Sequence, residues 1–208
     1  GTESYLAAVR KALGSINHYY RNYPWEGKSA DGYADSIESA INLYNRERVP
    51  SAAEWIDSET QSMLQKQQED GVIEGWHGDG NSARTTIMYV TWKSQGLTVQ
   101  PWRKDVRVGA VMHAGKLCVS LVAGEAHWRG TLVFDAPRHK TQLKMPLDYP
   151  RINQFPEWFT VAADGKYTVQ TVGVDDAKPY SGAALRTGMP VELKAGSELR
   201  LIVTPPAK

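Results

Sequence analysis

A chain of 208 residues, 41% hydrophobic and 23% charged, has enough apolar side chain to bury a core and too much to remain disordered. Lys plus Arg number 24 against 23 Asp plus Glu, a formal charge of +1, so no long-range field gathers nucleic acid or an anionic membrane. No apolar run reaches the roughly 20 residues that span a bilayer, and with Cys118 the only cysteine no intrachain disulfide can form.

Four segments in the front half have helical periodicity. Ser4 to Tyr23 places Tyr5, Leu6, Val9, Leu13, Ile16 and Tyr20 at three- and four-residue steps. Tyr33 to Arg46 carries Ile37, Ala40, Ile41 and Tyr44. Pro50 opens a third helix, through Gln68, with Trp55, Ile56, Met63 and Leu64. Ser82 to Gln95 makes the fourth, with Ile87, Met88, Val90 and Trp92 as its apolar positions and Gly96 as its C-cap. Aligning Asp31-Gly32 with Asp79-Gly80 sets Ile41 opposite Tyr89 and Tyr44 opposite Trp92, so a helix pair is the expected repeating unit.

The segments leading into the second and fourth helices, Tyr23 to Tyr33 and Gly71 to Asn81, are long for helix–helix links and mix Gly, Trp and carboxylates. Such loops build sites at one end of a bundle. After Pro101 the period changes to two. Val106 to Ala110, Leu117 to Leu121, Trp128 to Phe134, Trp158 to Val161, Tyr167 to Val174, Val191 to Leu193 and Leu199 to Val203 read as short strands. Turn signals separate them, with Asp164-Gly165 the best hairpin. Cys118, between Leu117 and Val119, reads as a buried structural thiol, and Pro137 to Pro156 as an extended strap. The expected fold is α+β: about four helices in antiparallel hairpins over residues 1–100, then an antiparallel β-sandwich over 101–208.

Asp31-Gly32-Tyr33-Ala34-Asp35-Ser36-Ile37-Glu38, Glu74-Gly75-Trp76-His77-Gly78-Asp79-Gly80-Asn81-Ser82-Ala83-Arg84 and the closing Gly188 to Leu193 and Leu199 to Val203 stretches resemble the end of the six-hairpin α/α toroid proteins, a group that includes glycoside hydrolases and polysaccharide lyases. The resemblance implies a carbohydrate-active protein with a polysaccharide or oligosaccharide as partner and a periplasmic or secreted setting. Two hairpins cannot close a ring of six. The chain, which opens Gly1-Thr2 without a signal peptide, is therefore expected to be either the C-terminal part of a longer enzyme whose N-terminal part is its partner, or an independent helical bundle with a sandwich.

Two clusters carry the candidate chemistry. In the first, Glu74, His77 and Asp79 are the candidate catalytic groups and Trp76 and Arg84 the substrate contacts. Paired carboxylates serve a glycosidase and a neutral base serves a lyase, and Trp76 stacks on a sugar face in either case. The competing reading makes Asp79 or Asn81 a helix cap and Arg84 an ion-pair partner. In the second, Asp31, Tyr33 and Asp35, with Trp25 upstream and Glu38 one turn on, are substrate contacts, or first-turn acids that answer the helix dipole. A true repeat puts both clusters at one end of the bundle. His18, His77, His113, His127 and His139 lack metal-ligand spacing, and Gly75, Gly78 and Gly80 follow no strand, so neither metal nor cofactor is expected. A non-catalytic glycan- or protein-binding module is the alternative.

Overall fold

The computed structural model describes residues 2–73, 80–145 and 155–207. The chain divides into two compact units, the first running to Val90 and the second from Thr91 on, with Phe155 and Pro156 grouped with the first. Helices make up the first unit and antiparallel sheets dominate the second.

The helical unit contains α1 (Thr2–Tyr19), α2 (Ala30–Arg46), α3 (Pro50–Leu64) and the start of α4 (Asn81–Lys93). Helix α1 stops at Tyr19, short of the expected Tyr23, because Asn22 turns into the left-handed region (φ 57°), which Asn tolerates well. Helix α2 starts earlier than expected. Ser29 caps it, its hydroxyl accepting from the Gly32 N–H at 3.0 Å, so Asp31 sits in the first turn and not in a loop. Inward positions on α2 (Ala30, Tyr33, Ala34, Ile37, Ala40, Ile41) and α3 (Ala52, Trp55, Ile56, Glu59, Thr60, Met63) follow the helical period.

Helix α4 departs from the expectation. Ile87 and Val90 are more than half exposed, and the inward side is Ser82, Thr85, Met88 and Trp92. Small polar residues win here because they let helices approach: the Thr85 hydroxyl donates to the Ala34 carbonyl of α2 at 3.0 Å. The end of α4 is closed as expected, with Gly96 at positive φ donating its N–H to the Thr91 carbonyl.

The side-chain contacts give the helices' directions. Arg10 reaches Glu47, Asn17 reaches Glu54 and the Asn22 N–H reaches Glu59, all 37 residues apart, so α1 and the segment ending in α3 advance in parallel. Helices α2 and α4 likewise advance together, through Asp31–Asn81 and Ala34–Thr85. Inward residues recur at an offset of about 48, with Ala34, Ile37 and Ala40 matched by Ser82, Thr85 and Met88. Successive helix pairs laid side by side are the building unit.

The second unit has two antiparallel sheets around one core. The first orders β1 (Thr98–Gln100), β4 (Trp128–Val133) and β7 (Met189–Leu193). The second orders β2 (Val106–His113), β3 (Lys116–Ala123), β8 (Glu198–Thr204), β5 (Lys166–Thr171) and β6 (Lys178–Ser181). Leu117, Val119 and Leu121 of one sheet meet Trp128, Leu132 and Val191 of the other in a shared apolar cluster.

Four expectations fail in this unit. The Trp158–Val161 run is not a strand; only Thr160 bridges, in parallel, to Asp135. The Asp164-Gly165 turn therefore makes no hairpin, and β5 pairs with β6 and β8. Gly165 is small because a Cβ there meets the Tyr167 ring at 2.7 Å. The tight hairpin is β2–β3, where Ala114 and Gly115 both take positive φ and His113 faces Lys116. The strap is not wholly extended: Arg138–Thr141 forms a short helix, α5, with Arg138 paired to Asp135 at 3.0 Å. A second, α6 (Gly182–Thr187), is capped by Ser181. Cys118, finally, is only half buried, because the pleat that turns Leu117 and Val119 inward turns Cys118 to the outer face.

Candidate functional site

The site begins with the capping of α2. Ser29 starts the helix so that Asp31, Asp35 and Glu38 lie at successive turns, and α4 starts alongside at Asn81. The Asn81 side-chain amide donates to Asp31 Oδ1 at 2.6 Å. One turn on, the Arg84 guanidinium donates through Nε to Glu38 Oε2 at 2.7 Å and pairs through Nη2 with the same oxygen at 2.6 Å. Asp35 Oδ1 lies 4.0 Å from that Nη2. The described parts of the two clusters, Asp31, Asp35 and Glu38 from one and Asn81 and Arg84 from the other, therefore meet at the same end of the helices. Glu74, Trp76, His77 and Asp79 lie outside the described residues.

Charge is uneven within this group. The carboxyl of Asp35 is held above the ordinary carboxylate range, first by burial and then by repulsion from Asp31 and Glu38, with Arg84 pulling the other way and Glu26 adding to the rise. Its side chain is still 57% exposed, so the carboxyl is open to solvent or to a ligand.

Asp35 also lines a groove of about 360 Å³ between α1 and α2. Leu13 and Ile16 form one side, Ser36 and Ser39 the other, and the indoles of Trp25 and Trp55 complete the lining. Trp25 enters on a one-turn 3₁₀ helix, Trp25–Gly27, which presses so closely on α2 that a Cβ on Gly32 would sit 3.0 Å from Glu26 Cγ. The Trp25 ring stacks on Tyr20 at 5.6 Å between centroids and leans on Tyr23 at 4.8 Å and Trp55 at 6.3 Å.

Beneath that aromatic group lies a carboxylate the sequence reading passed over. Glu59 of α3 is fully buried, and its Oε1 accepts the Asn22 N–H at 3.0 Å. Its Oε2 faces the Trp25 indole N–H without closing a well-formed hydrogen bond. Trp55 fastens the same loop, donating its indole N–H to the Tyr20 carbonyl at 3.1 Å. The signal for Glu59 was its place among the inward positions of α3. Tyr33, expected at the site, is buried at 6% exposure, with the Lys66 ammonium 5.6 Å from its ring centroid, and its phenol is raised by burial and then by Glu59.

Among the described residues no group of three or more His, Cys, Asp or Glu is arranged to hold a metal ion. The His127 ring pairs instead with Glu192 at 2.8 Å, and the backbone N–H of His139 donates to Glu157. The arrangement offers one carboxyl with a raised pKa, one guanidinium-held carboxylate and a groove with Trp25 in its lining. No protein-family model, no curated protein and no solved structure matches the chain.

Proposed function

We propose that the helical unit binds a saccharide and that the protein is carbohydrate-active, as the C-terminal region of a glycoside hydrolase or polysaccharide lyase in a periplasmic or secreted setting. The observation that supports this most is the guanidinium nitrogen of Arg84 shared by Asp35 and Glu38, beside a groove lined by two indoles. The two carboxylate oxygens are no farther apart than those two contacts laid end to end. Two carboxyl groups close enough to flank one glycosidic bond are what retaining and inverting glycosidases both require. In this reading Asp35, with its raised pKa, is the proton donor and Glu38 the partner that Arg84 orients. The half-buried Trp25 indole supplies an apolar face, with Trp55 fully buried behind it, and Ser36 and Ser39 supply hydroxyls for the sugar. Glu74, His77 and Asp79 keep their proposed catalytic roles and Trp76 its stacking role. Side-by-side helix pairs followed by antiparallel sheets support the toroid resemblance as an analogy of fold.

One observation favours a second reading, a non-catalytic module. Ala83, Ile87 and Val90 form an exposed stripe along α4, with Ile87 at 51% and Val90 at 56%, the kind of face that a partner covers.

The test is a panel of plant, algal and host polysaccharides, with new reducing ends and unsaturated-uronate absorbance followed together. On the substrate that is turned over, Asp35→Asn should lower kcat by about 10²-fold or more and leave binding in place. Because the acid must hold its proton, wild-type activity should fall as pH rises through the raised pKa of Asp35. Full activity in Asp35→Asn sinks the assignment. Glu74→Gln and Asp79→Asn, made separately, test the other two carboxylates. Binding without turnover across the panel favours the module.

A further inference from the structure

The outer face of the five-stranded sheet holds a second cavity, of different chemistry. Alternation puts Leu117, Val119 and Leu121 into the core and leaves Cys118 and Ser120 outside. Register then sets Gly109 beside Ser120 and Val111 beside Cys118 on one flank, and Arg200 and Ile202 beside the same two residues on the other. Three small residues, Gly109, Cys118 and Ser120, thus meet on the outer face of the edge strand β2 and its neighbour β3. The depression they leave, about 480 Å³, has Val111, Val172 and Ile202 in its lining. Val111 is 59% exposed and Val172 50%, so this apolar surface faces water. A Cβ built on Gly109 meets nothing within 4 Å, which confirms that the space above it is open.

The charged side chains that line the groove are both cationic, and one carboxylate borders it. Lys93 and Arg200 line it, and no carboxylate does among the described residues. Glu198, the nearest acid in register, is paired to Arg200 at 2.8 Å and accepts from the Ser120 hydroxyl at 2.6 Å. The Lys93 ammonium lies 4.7 Å from the Trp92 ring centroid. A mostly apolar slot offers a sugar little to hydrogen-bond, and two cations that already have neighbours suit a single charged group better than a polyanion. We infer that this groove binds an amphiphilic anion, a chain-like or flat apolar body seated over Gly109 and Cys118 with one carboxylate or sulfonate at Arg200 and Lys93.

Cys118 is the chain's one cysteine and lies in the groove, so its rate of modification by a maleimide reports occupancy directly. The probes are decanoate, decanol and decylammonium, each below its aggregation concentration. Decanoate should slow modification at least tenfold at saturation, decanol should need a higher concentration, and decylammonium should leave the rate unchanged. Calorimetry supplies the second readout. Gly109→Val fills the groove where no atom stands in the way and adds strand propensity, so it should fold as well as the wild type and lose decanoate binding. Arg200→Gln should weaken decanoate at least tenfold and leave decanol as it was. Equal protection by all three probes, no protection by decanoate at 1 mM, or undiminished decanoate binding by a folded Gly109→Val protein overturns the inference.

Discussion

Glu59 occupies a turn of α3 whose neighbours at Trp55, Ile56 and Met63 are apolar, and it is as inaccessible as they are. Burial raises its pKa, opposed by the Asn22 N–H, the Trp25 indole and the charge of Arg21. The folded protein therefore holds this proton more tightly than the unfolded chain does, so the group's contribution is fully present below the unfolded carboxylate value of about 4.3 and is lost as pH rises through the folded pKa. Glu59→Gln cannot titrate. Its amide also faces the Trp25 N–H as donor to donor, which adds an offset independent of pH. The stability of the variant relative to wild type should thus rise with pH across that window, whatever the offset, and urea unfolding at several pH values from 4 to 8 measures it. A difference that stays flat would mean that Glu59 keeps an ordinary pKa despite its burial. The residue matters for the site because Asn22 and Trp25 flank the turn by which the indole reaches the groove.

At the scale of the element, period and punctuation fixed the helices and most strands, and what they missed has physical causes. Thr85 and Ser82 on the inward side of α4 are invisible to a hydrophobic pattern, because a close helix crossing selects for size and for a hydroxyl that reaches Ala34. Strands β1 and β6 are three and four residues long, too short to show alternation. Asp164-Gly165 was the favoured hairpin on its dipeptide alone, yet a hairpin needs a strand on each side and only one forms there. Ala114-Gly115 lacked that dipeptide and makes the hairpin all the same. Ala114 holds φ 47°, a region that costs an L-residue about 1–2 kcal/mol and suits Asn better. Ala114→Asn should therefore stabilise the β unit by about 0.5–1 kcal/mol, read as a higher urea midpoint with an unchanged slope. A lower midpoint would show that the exposed turn depends on its present side chain.

At the scale of the whole molecule, the order of helices followed by antiparallel sheets was legible because the hydrophobic period changes from near 3.6 to two after Pro101. The convergence of Asp31 and Asp35 with Arg84 was legible only through the repeat: two segments that share a period share an end. The groove was not, since it depends on which helix faces which and no single segment records that, whereas Glu59 left only its inward position on α3 as a signal. Charge is a property of the molecule at the same scale. Arg107, Lys116, Lys166 and Arg200 stand at outward register positions of the five-stranded sheet, with Glu198 among them. A basic face of that kind invites comparison with nucleic-acid surfaces, but 24 cations against 23 anions leave no net field beyond about 8 Å at physiological salt. With four such cations at most engaging phosphates, affinity for duplex DNA should fall with a log–log salt slope no steeper than about −3.6. At 0.15 M salt it should be no tighter than about 10⁻⁴ M, the weak end of non-specific binding. Fluorescence anisotropy of a labelled duplex across 0.02–0.2 M salt, as a chosen range, measures both quantities, scaled from the same counterion argument. Micromolar binding that survives the high-salt end would require base or shape contacts, and would move the basic sheet face from a slot for one anionic group to a nucleic-acid surface.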